Sequence, residues 1–554
     1  RWTYTPWGEV SSITDRDGHM VSNRYDAYGR LEERIDARTN SSRYAYDNSD
    51  RLVAITNALG QNWQFLYDSE GNLQEIQYPD TSRDTFEYSG DLLVKSVRNA
   101  WADGAITNGY YRDVSGRMRW LYQGNREIQT LSYSPLNLPD VLTDAEGEEV
   151  SHTWDDRGRL VSRAWSDSSS ETYQYDWLGM TNVTDRFGAP LRIQPDRLGR
   201  LLRQTDGNTN TIRRTYATNS LWRLAEILDA RSNRTSWAYD RYGNPTNKTY
   251  ANNSSEPVQY NRQNQPVRRV SPGGIVSSNA YDANGNLTFV WRGQESVVAL
   301  AYDPLNRCTQ MVDAVGTTRW TYDARGRVTG EANPWDAPSA SLRYDGAGRM
   351  TQLVFGAWSM ALSYDALGRV HALTAPEGAY SFGHYLNGIR RTWQSGPNGV
   401  HETRQYGNGL TNLVISNAAV RLLRLACGRG TAERMTSQAH YPGTSASADR
   451  SSTLAYDRAG QWTNSAAVPA TRSETWSYDP AGNPLGKTRL GISRQAAYDN
   501  LNQITNLSYA GQAATVLGGV RGGAANLSRI VTVNGQTATL SACEYELTNL
   551  PVTH

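Results

Sequence analysis

One string recurs along this chain and leaves few folds open to it: Tyr-Asp-x-x-Gly, then Arg or Asn, then an apolar residue. It stands at Tyr25, Asp26 and Gly29; Tyr67, Asp68 and Gly71; Tyr281, Asp282 and Gly285; Tyr322, Asp323 and Gly326; Tyr344, Asp345 and Gly348; and Tyr364, Asp365 and Gly368. Weaker copies lie at Tyr46, Trp154, Tyr175, Tyr239, Tyr302, Tyr456, Tyr478 and Tyr498, and degenerate ones near Tyr4, Tyr88, Tyr111, Tyr133, Tyr216, Tyr260 and Tyr385. Pro195 takes the aromatic place in one copy. From Tyr4 to Tyr385 neighbouring anchors are 20 to 23 residues apart, most often 21. Such a fixed period marks a repeat architecture, in which each unit buries its apolar face only against its neighbours.

The substitutions at each position reveal the turn. An Asp side chain accepts backbone amides from residues just ahead of it, and Gly suits a positive φ. Where that Gly is missing, Asn137, Asn264, Asn306 and Asn502 stand in, and Asn tolerates the left-handed region. Pro135, Pro304 and Pro480 follow the first turn residue, as the second position of a type I turn favours. A type I turn closed by a left-handed residue is expected, linking two strands as a hairpin.

A second turn falls about eleven residues after each tyrosine, at Asp15–Gly18, Asp144–Gly147, Asp185–Gly188 and Asp313–Gly316. Asp36 with Asn40 and Asp229 with Asn233 read as turns one residue longer. Two turns per repeat leave two strands of about five to seven residues, some forty strands in all. Tyr44 and Tyr46, Phe65 and Tyr67, Trp237 and Tyr239, and Trp320 and Tyr322 are two apart, which puts both rings on one face of a strand. Aromatic ladders across neighbouring strands are expected. An open sheet this long coils rather than staying flat.

Composition fits a thin wall better than a solid globule. Leu, Ile, Val and Phe make up about 17% of the chain, low for a folded domain, while 33 Tyr and 17 Trp outweigh 6 Phe. Tyr and Trp suit surfaces with one dry and one wet side. With 56 basic and 55 acidic residues, no broad field attracts nucleic acid or anionic lipid. No run of eighteen apolar residues exists for a membrane span. The chain opens at Arg1 in mid-pattern, as a piece of something longer would.

The recurring string at this period resembles the RHS/YD-repeat proteins, which include bacterial polymorphic toxins, insecticidal toxin-complex subunits and teneurin ectodomains. The resemblance covers residues 1 to about 406 and again 456 to about 508. It implies a β-strip wound into a hollow shell or cocoon, secreted or delivered to a cell surface. In toxin members the shell encloses a C-terminal toxic domain; in teneurin-like members it displays other domains for cell contact. The sequence departs from the toxin pattern in one respect. Those members end their repeats in a core closing with Asp-Pro-x-Gly-Leu, whereas Asp303-Pro304 continues as Leu-Asn and Asp479-Pro480 as Ala-Gly-Asn. No protease role is carried to either aspartate.

Four regions are therefore expected: a repeat array over 1–406, degenerate repeats or an insertion over 407–455 with an aliphatic run at Val420, Leu422, Leu423 and Leu425, further repeats over 456–508, and a Gly- and β-branched-rich segment over 509–554, alternating around Ile530, Val531 and Val533, like the start of an inserted β-sandwich module. The fold class is all-β, tandem hairpins coiled into a spiral strip that forms part of a hollow shell.

Catalytic constellations are not found. Asp positions are set by turns. His19, His152, His371, His384, His401, His440 and His554 show no metal-binding spacing, and Cys308, Cys427 and Cys543 are too far apart for a zinc site or a disulfide framework. No catalytic, cofactor-binding or metal-binding residue is assigned, and the chain is read as a non-enzyme. Arg30, Arg159, Arg200, Arg327, Arg349 and Arg369 each follow a turn glycine and are expected to stack on a neighbouring ring or pair with an adjacent turn Asp. The function expected is a structural shell around, or a display platform for, a toxin or adhesive domain outside this chain. The alternative is a carbohydrate or cell-wall binding module that holds glycans on exposed Tyr and Trp. Choline-binding modules, also built of aromatic hairpins, use paired aromatics and glycines, whereas the constant feature here is Asp-x-x-Gly after a single Tyr.

Overall fold

A computed structural model of the chain describes residues 1–98, 105–217, 223–293, 296–334, 339–384, 390–397, 399–407, 409–417, 420–429, 435–468, 473–489 and 492–510, and beyond these the short strands Val516–Gly519, Thr532–Val533, Gln536–Thr537, Thr539–Ser541 and Glu544–Leu547. The anchor at Tyr385, Ile530, Val531, Cys543 and His554 lie outside the described residues.

Every element among the described residues is a β-strand, 48 of them in one antiparallel sheet from Trp2–Tyr4 to Ile504–Ala510. The all-β hairpin array expected from the period is what the structure shows. Most strands run five to seven residues, lengthening to ten at Val420–Arg429. Across 407–455 the ladder continues through Gly409–Asn417, Val420–Arg429 and Met435–Pro442. The described strands after residue 515 form separate sheets of three and two strands.

Each repeat is a hairpin closed at its tyrosine end. Strand Met20–Tyr25 pairs with Leu31–Ile35 through Ser22–Ile35, Asn23–Arg34, Arg24–Glu33 and Tyr25–Leu31, so Glu32 is an extra residue. The same bulge recurs beside Tyr46, Tyr67, Tyr175, Tyr322, Tyr364 and Tyr498. Bulges of this kind bend a strand and increase its twist. Successive hairpins touch less. Leu52–Thr56 meets Asn62–Tyr67 only through Ala54–Gln64, Ile55–Trp63 and Thr56–Asn62, so the two strands part company toward the tyrosine end.

The alternation in burial follows the alternation in sequence. Along Asn62–Tyr67, Trp63, Phe65 and Tyr67 are half-buried while Asn62, Gln64 and Leu66 are exposed. No thick core exists: among the described residues only Ala347, Leu367 and Ala496 are buried apolar side chains, and none of the large ones is fully enclosed. Stability must come from the ladder and from half-buried rings.

The chain divides into two units. One comprises Arg1–Ser134, Val141–Glu148 and Pro257–Gly399; the other Pro135–Asp140, Glu149–Glu256 and Val400–His554. In each unit, stretches distant in sequence lie edge to edge, which brings together the groups described next.

Candidate functional site

The tyrosine-end turn is built around one carboxylate. Asp26 Oδ1 accepts the N–H of Tyr28 at 2.9 Å and of Arg30 at 3.0 Å, while Gly29 N–H donates to the Asp26 carbonyl at 3.1 Å. Arg30 Nε then donates to Asp26 Oδ2 at 2.7 Å. Asp323 with Arg327, Asp345 with Arg349 and Asp365 with Arg369 repeat the arginine clamp at 2.6 to 2.8 Å. Where Asn replaces Arg, its amide does the same: Asn72 to Asp68 and Asn286 to Asp282. Gly29, Gly71, Gly285, Gly326, Gly348 and Gly368 all have positive φ, and so do Asn137, Asn264, Asn306 and Asn502.

This donor set fixes the charge state. At Asp47 the backbone N–H of Arg51, ahead of other donors, holds the carboxyl below its ordinary range. At Asp113 the Arg117 guanidinium is the largest cause. At Asp36 partial burial pulls upward, but the combined donors, Asn40 and Asn284 among them, outweigh it.

Tyrosine closes the gap left where hairpins diverge. Tyr67 Oη donates to the Leu52 carbonyl at 2.8 Å, the first residue of the preceding return strand. Tyr25 reaches Val10, Tyr281 Pro266, Tyr322 Cys308, Tyr344 Val328 and Tyr364 Met350 in the same way, at 2.5 to 2.9 Å. Trp154 substitutes its indole N–H, 2.7 Å from the Pro139 carbonyl. Each such bond contributes about 0.5–1.5 kcal/mol. Burial pushes the Tyr364 hydroxyl's pKa up, which keeps it a donor.

The arginine of one repeat covers the tyrosine of the next. The Arg30 guanidinium lies 5.0 Å from the Tyr46 ring centre, that of Arg159 4.5 Å from Tyr175, Arg200 4.6 Å from Tyr216, Arg327 4.9 Å from Tyr344 and Arg349 4.7 Å from Tyr364. Arg30 and Arg327 also donate to the next turn's Asp carbonyl, at 3.0 Å in both cases. The aromatic ladder expected from the sequence is therefore mostly an alternation of guanidinium and ring. Consecutive tyrosines are two strands apart, about 9.6 Å at ordinary strand spacing, too far for rings to touch without a filler. Among the described residues, direct ring pairs occur only locally, as at Trp462 and Trp476, 5.8 Å apart.

A second correction concerns the far-end turns. Asp36–Asn40 and Asp229–Asn233 are not longer than the others. Asp36 N–H donates to Asn40 O and Thr39 N–H to Asp36 O, the same five-residue loop, with Thr39 at φ 67° and Ser232 at φ 65° in the left-handed place. Asp313–Gly316 is one residue shorter, closed by Asp313 N–H to Gly316 O.

These far-end turns form a seam to which no local sequence signal points. In the first unit, Arg38 donates to the carbonyls of Tyr302 and Asp303, both at 3.1 Å, and its Nε lies 3.5 Å from Asp282 Oδ2. In the second unit Arg231 repeats this on Tyr498 at 2.9 Å, Asp499 at 3.0 Å and the buried Asp479 at 3.4 Å. Both arginines occupy the third place of an Asp-Ala-Arg-(Thr or Ser)-Asn turn. Other stitches are Gln263 to Asp15 and Asp17, Asn284 to Asp36, Arg327 to Asp80 and Arg390 to Glu146 in the first unit, and Asn208 to Asp457 in the second. Gly207 allows that last approach: a Cβ there would collide with the Arg458 carbonyl. The bonded partners are 243 to 271 residues apart, about a dozen repeats.

The aspartates before proline are turn aspartates like the rest. Asp479 accepts amides from Ala481 and Asn483 in an ordinary turn, as Asp303 does from Leu305 and Arg307. His19 pairs with Asp15 at 3.0 Å. Among the described residues no three His, Cys, Asp or Glu side chains are grouped to hold a metal ion, and no helix is long and apolar enough to cross a membrane.

The model of the teneurin YD-shell family matches residues 1–123, and that of the RHS repeat matches residues 302–334. A curated relative, double-stranded DNA deaminase toxin A of Burkholderia cenocepacia (strain H111), is 23% identical over 359 residues, which cover 60% of this chain and 23% of the relative. Among solved structures, TcdB2-TccC3 superposes with a TM-score of 0.73 at 13% identity, over 93% of this chain and 34% of that one. TcdB2-TccC3-Cdc42 is similar at a TM-score of 0.45 and 12% identity, over 89% and 30%. The chain thus spans about a quarter of the curated relative and a third of the solved chain.

Proposed function

We propose that this RHS/YD-repeat chain is an architectural, non-catalytic wall: a stretch of a hollow shell in a secreted or surface-delivered protein, enclosing or displaying a toxin or adhesive domain that lies outside the chain. The observation that carries this reading is the seam. A β-strip whose tyrosine-end turns dock on its own far-end turns about a dozen repeats away is a strip that stitches itself into a wider surface, and Arg38 and Arg231 make that stitch with the same three kinds of acceptor. The dearth of buried apolar side chains agrees, since a wall wetted on both faces has no interior to fill. The fold shared with TcdB2-TccC3 and the deaminase toxin relative support a toxin-related setting. The relative's activity belongs to a protein of which this chain matches less than a quarter.

The test is protease protection in the longest natural protein that contains this chain. A domain following the repeats is expected to resist trypsin while the wall is intact and to be cleaved once Arg231→Ala opens the seam. Equal cleavage of that domain in both proteins, with the wall itself folded in each, would overturn the enclosure reading. Particles with no central void in negative-stain images would overturn the shell.

A further inference from the structure

The face of the array that carries the anchor tyrosines is filled by further rings in many repeats, as at Phe65, Trp237 and Trp320, two places before Tyr67, Tyr239 and Tyr322. Around Tyr456 that filling is missing. The place two before it holds Leu454, the next place on the same face holds Ser452, and the paired strand brings Ser465 and Ala467 opposite them. Small side chains among larger ones leave a gap. It is a cavity of about 380 Å³, lined by Ser452, Ser465 and Ala467 together with Leu425, His440, Arg450 and Trp462, a volume suited to a small organic guest.

Two groups there have hydrogen-bonding capacity left over. Ser452 is only 8% exposed, and its hydroxyl has no partner; a buried hydroxyl in that state is costly and rare. The second is His440, whose Nδ1 lies 2.5 Å from Asp449 Oδ1. This bond holds the Asp449 carboxyl below its ordinary range, so the carboxylate accepts and Nδ1 carries the proton. In the neutral ring Nε2 is then an acceptor, and it bonds to no described residue. His440 pairs with Arg450, and Ser452 stands two places further along that strand. Diagonal neighbours of this kind are about 7–8 Å apart at their Cα atoms. The two side chains do not bond to each other, so they form no activated nucleophile. One oxygen lodged between them satisfies both.

The walls define the rest of the guest. Charged groups around the cavity are already paired: Glu474 with Lys487 at 3.2 Å and with Arg489 at 3.0 Å, and Asp449 with Arg450 at 3.6 Å as well as with His440. An ion therefore gains little net attraction. Leu425 is apolar, and the Trp462 indole has spent its N–H on the Asn464 carbonyl at 2.8 Å, which leaves only its ring to offer. A flat apolar ring bearing one hydroxyl matches these walls. The hydroxyl donates to His440 Nε2 and accepts from Ser452 Oγ.

We propose that this cavity binds a phenol, its ring against Leu425 and Trp462 and its oxygen between His440 and Ser452. A free phenol and the tyrosine side chain of a polypeptide share that chemistry. The inference does not depend on the wall enclosing a cargo.

Saturation-transfer NMR on the full chain tests it. The probes are para-cresol, for a free phenol, and N-acetyltyrosinamide, for a polypeptide side chain; toluene and N-acetylphenylalaninamide are their counterparts without the hydroxyl. Saturable transfer is expected from at least one phenol, with an affinity about tenfold above that of its counterpart; which phenol binds tells the two sources apart. His440→Phe, which keeps a ring but no nitrogen, should weaken binding about tenfold, and Ser452→Ala about threefold. Ser465→Leu, which fills the cavity, should abolish it, and His440→Phe carries the test if that variant fails to fold. His371→Phe, at an exposed histidine elsewhere, should bind as the parent does. Absence of saturable transfer from both phenols, equal affinity for the counterparts, undiminished binding in His440→Phe, in Ser452→Ala or in a folded Ser465→Leu, or an equal loss in His371→Phe would each overturn the proposal.

Discussion

In the first unit, the far-end turns that bond to a later stretch of strip are built differently from several of that later stretch's own. Asp15–His19, Asp36–Asn40 and Tyr78–Ser82 are five-residue loops and contact Gln263, Arg325 or residues of the 282–306 turns. From residue 313 onward the loops tighten: Asp313–Gly316 loses a residue, Phe355 pairs with Trp358, and Ala375 with Gly378, over two-residue turns. A tight turn only reverses the chain. A wide one also projects a third-position side chain such as Arg38 beyond the sheet edge, together with a carboxylate that is already charged. Width is not peculiar to docking, since Ser271–Ile275 on the later stretch is as wide, but the turns that carry the stitches named above are all wide, and those from residue 313 to 378 are tight.

Acid should break the comparison most completely. Asp36, Asp47, Asp113 and Asp155 have folded-state pKa values below their ordinary ones, so their contribution is complete above about pH 4, the unfolded value, and is lost as pH falls through the folded values. The wide and tyrosine-end turns lose their organising charge together, while two-residue glycine turns have none to lose. Hydrogen exchange at pH 3 against pH 7 should show loss of protection at residues 36–40 before 355–358.

Next in size is Arg231→Ala. It strips the buried Asp479 of a cation 3.4 Å away and leaves the Tyr498 and Asp499 carbonyls without that donor; a cost of roughly 2–4 kcal/mol is expected in urea unfolding followed by tryptophan fluorescence. The free-edge control Val315→Ala, at an exposed tight turn, should stay within about 0.5 kcal/mol. Equal costs would erase the distinction between the two edges. Tyr322→Phe, which removes the hydroxyl bond to the Cys308 carbonyl, should cost about 1 kcal/mol in the same assay, whichever edge is stitched. The smallest effect is a gain. Thr39 holds a left-handed backbone at φ 67°, so Thr39→Gly should stabilise by less than about 1 kcal/mol, the relief of strain being partly cancelled by backbone entropy.

The tyrosine-end hairpin was legible because its constraints are local. An Asp, a Gly and a fixed spacing specify a turn within five residues, and Asn137, Asn264, Asn306 and Asn502 could be placed in the left-handed region from substitution alone. Thr39 and Ser232 could not, since Thr and Ser carry no signature for that conformation and are held there by the Asp36 and Asp229 loops. The arginine stack was legible as a choice between ring and carboxylate, and Arg30 does both. The seam was hidden for a different reason. The Asp-Ala-Arg-(Thr or Ser)-Asn recurrence at Asp36 and Asp229 was visible, but nothing near it names partners some 265 residues away.

Sequence separation also sets the order in which this molecule assembles. A tyrosine finds its carbonyl about fifteen residues upstream, so each hairpin can lock as soon as it leaves the ribosome. Arg38 must wait for a partner 265 residues further on, roughly 13–50 s at translation rates of about 5–20 residues per second. During that interval the nascent strip is a ribbon with one edge already set for docking and nothing yet synthesised to meet it. A chaperone that shields that edge co-translationally would therefore act on the far-end loops rather than on the tyrosines.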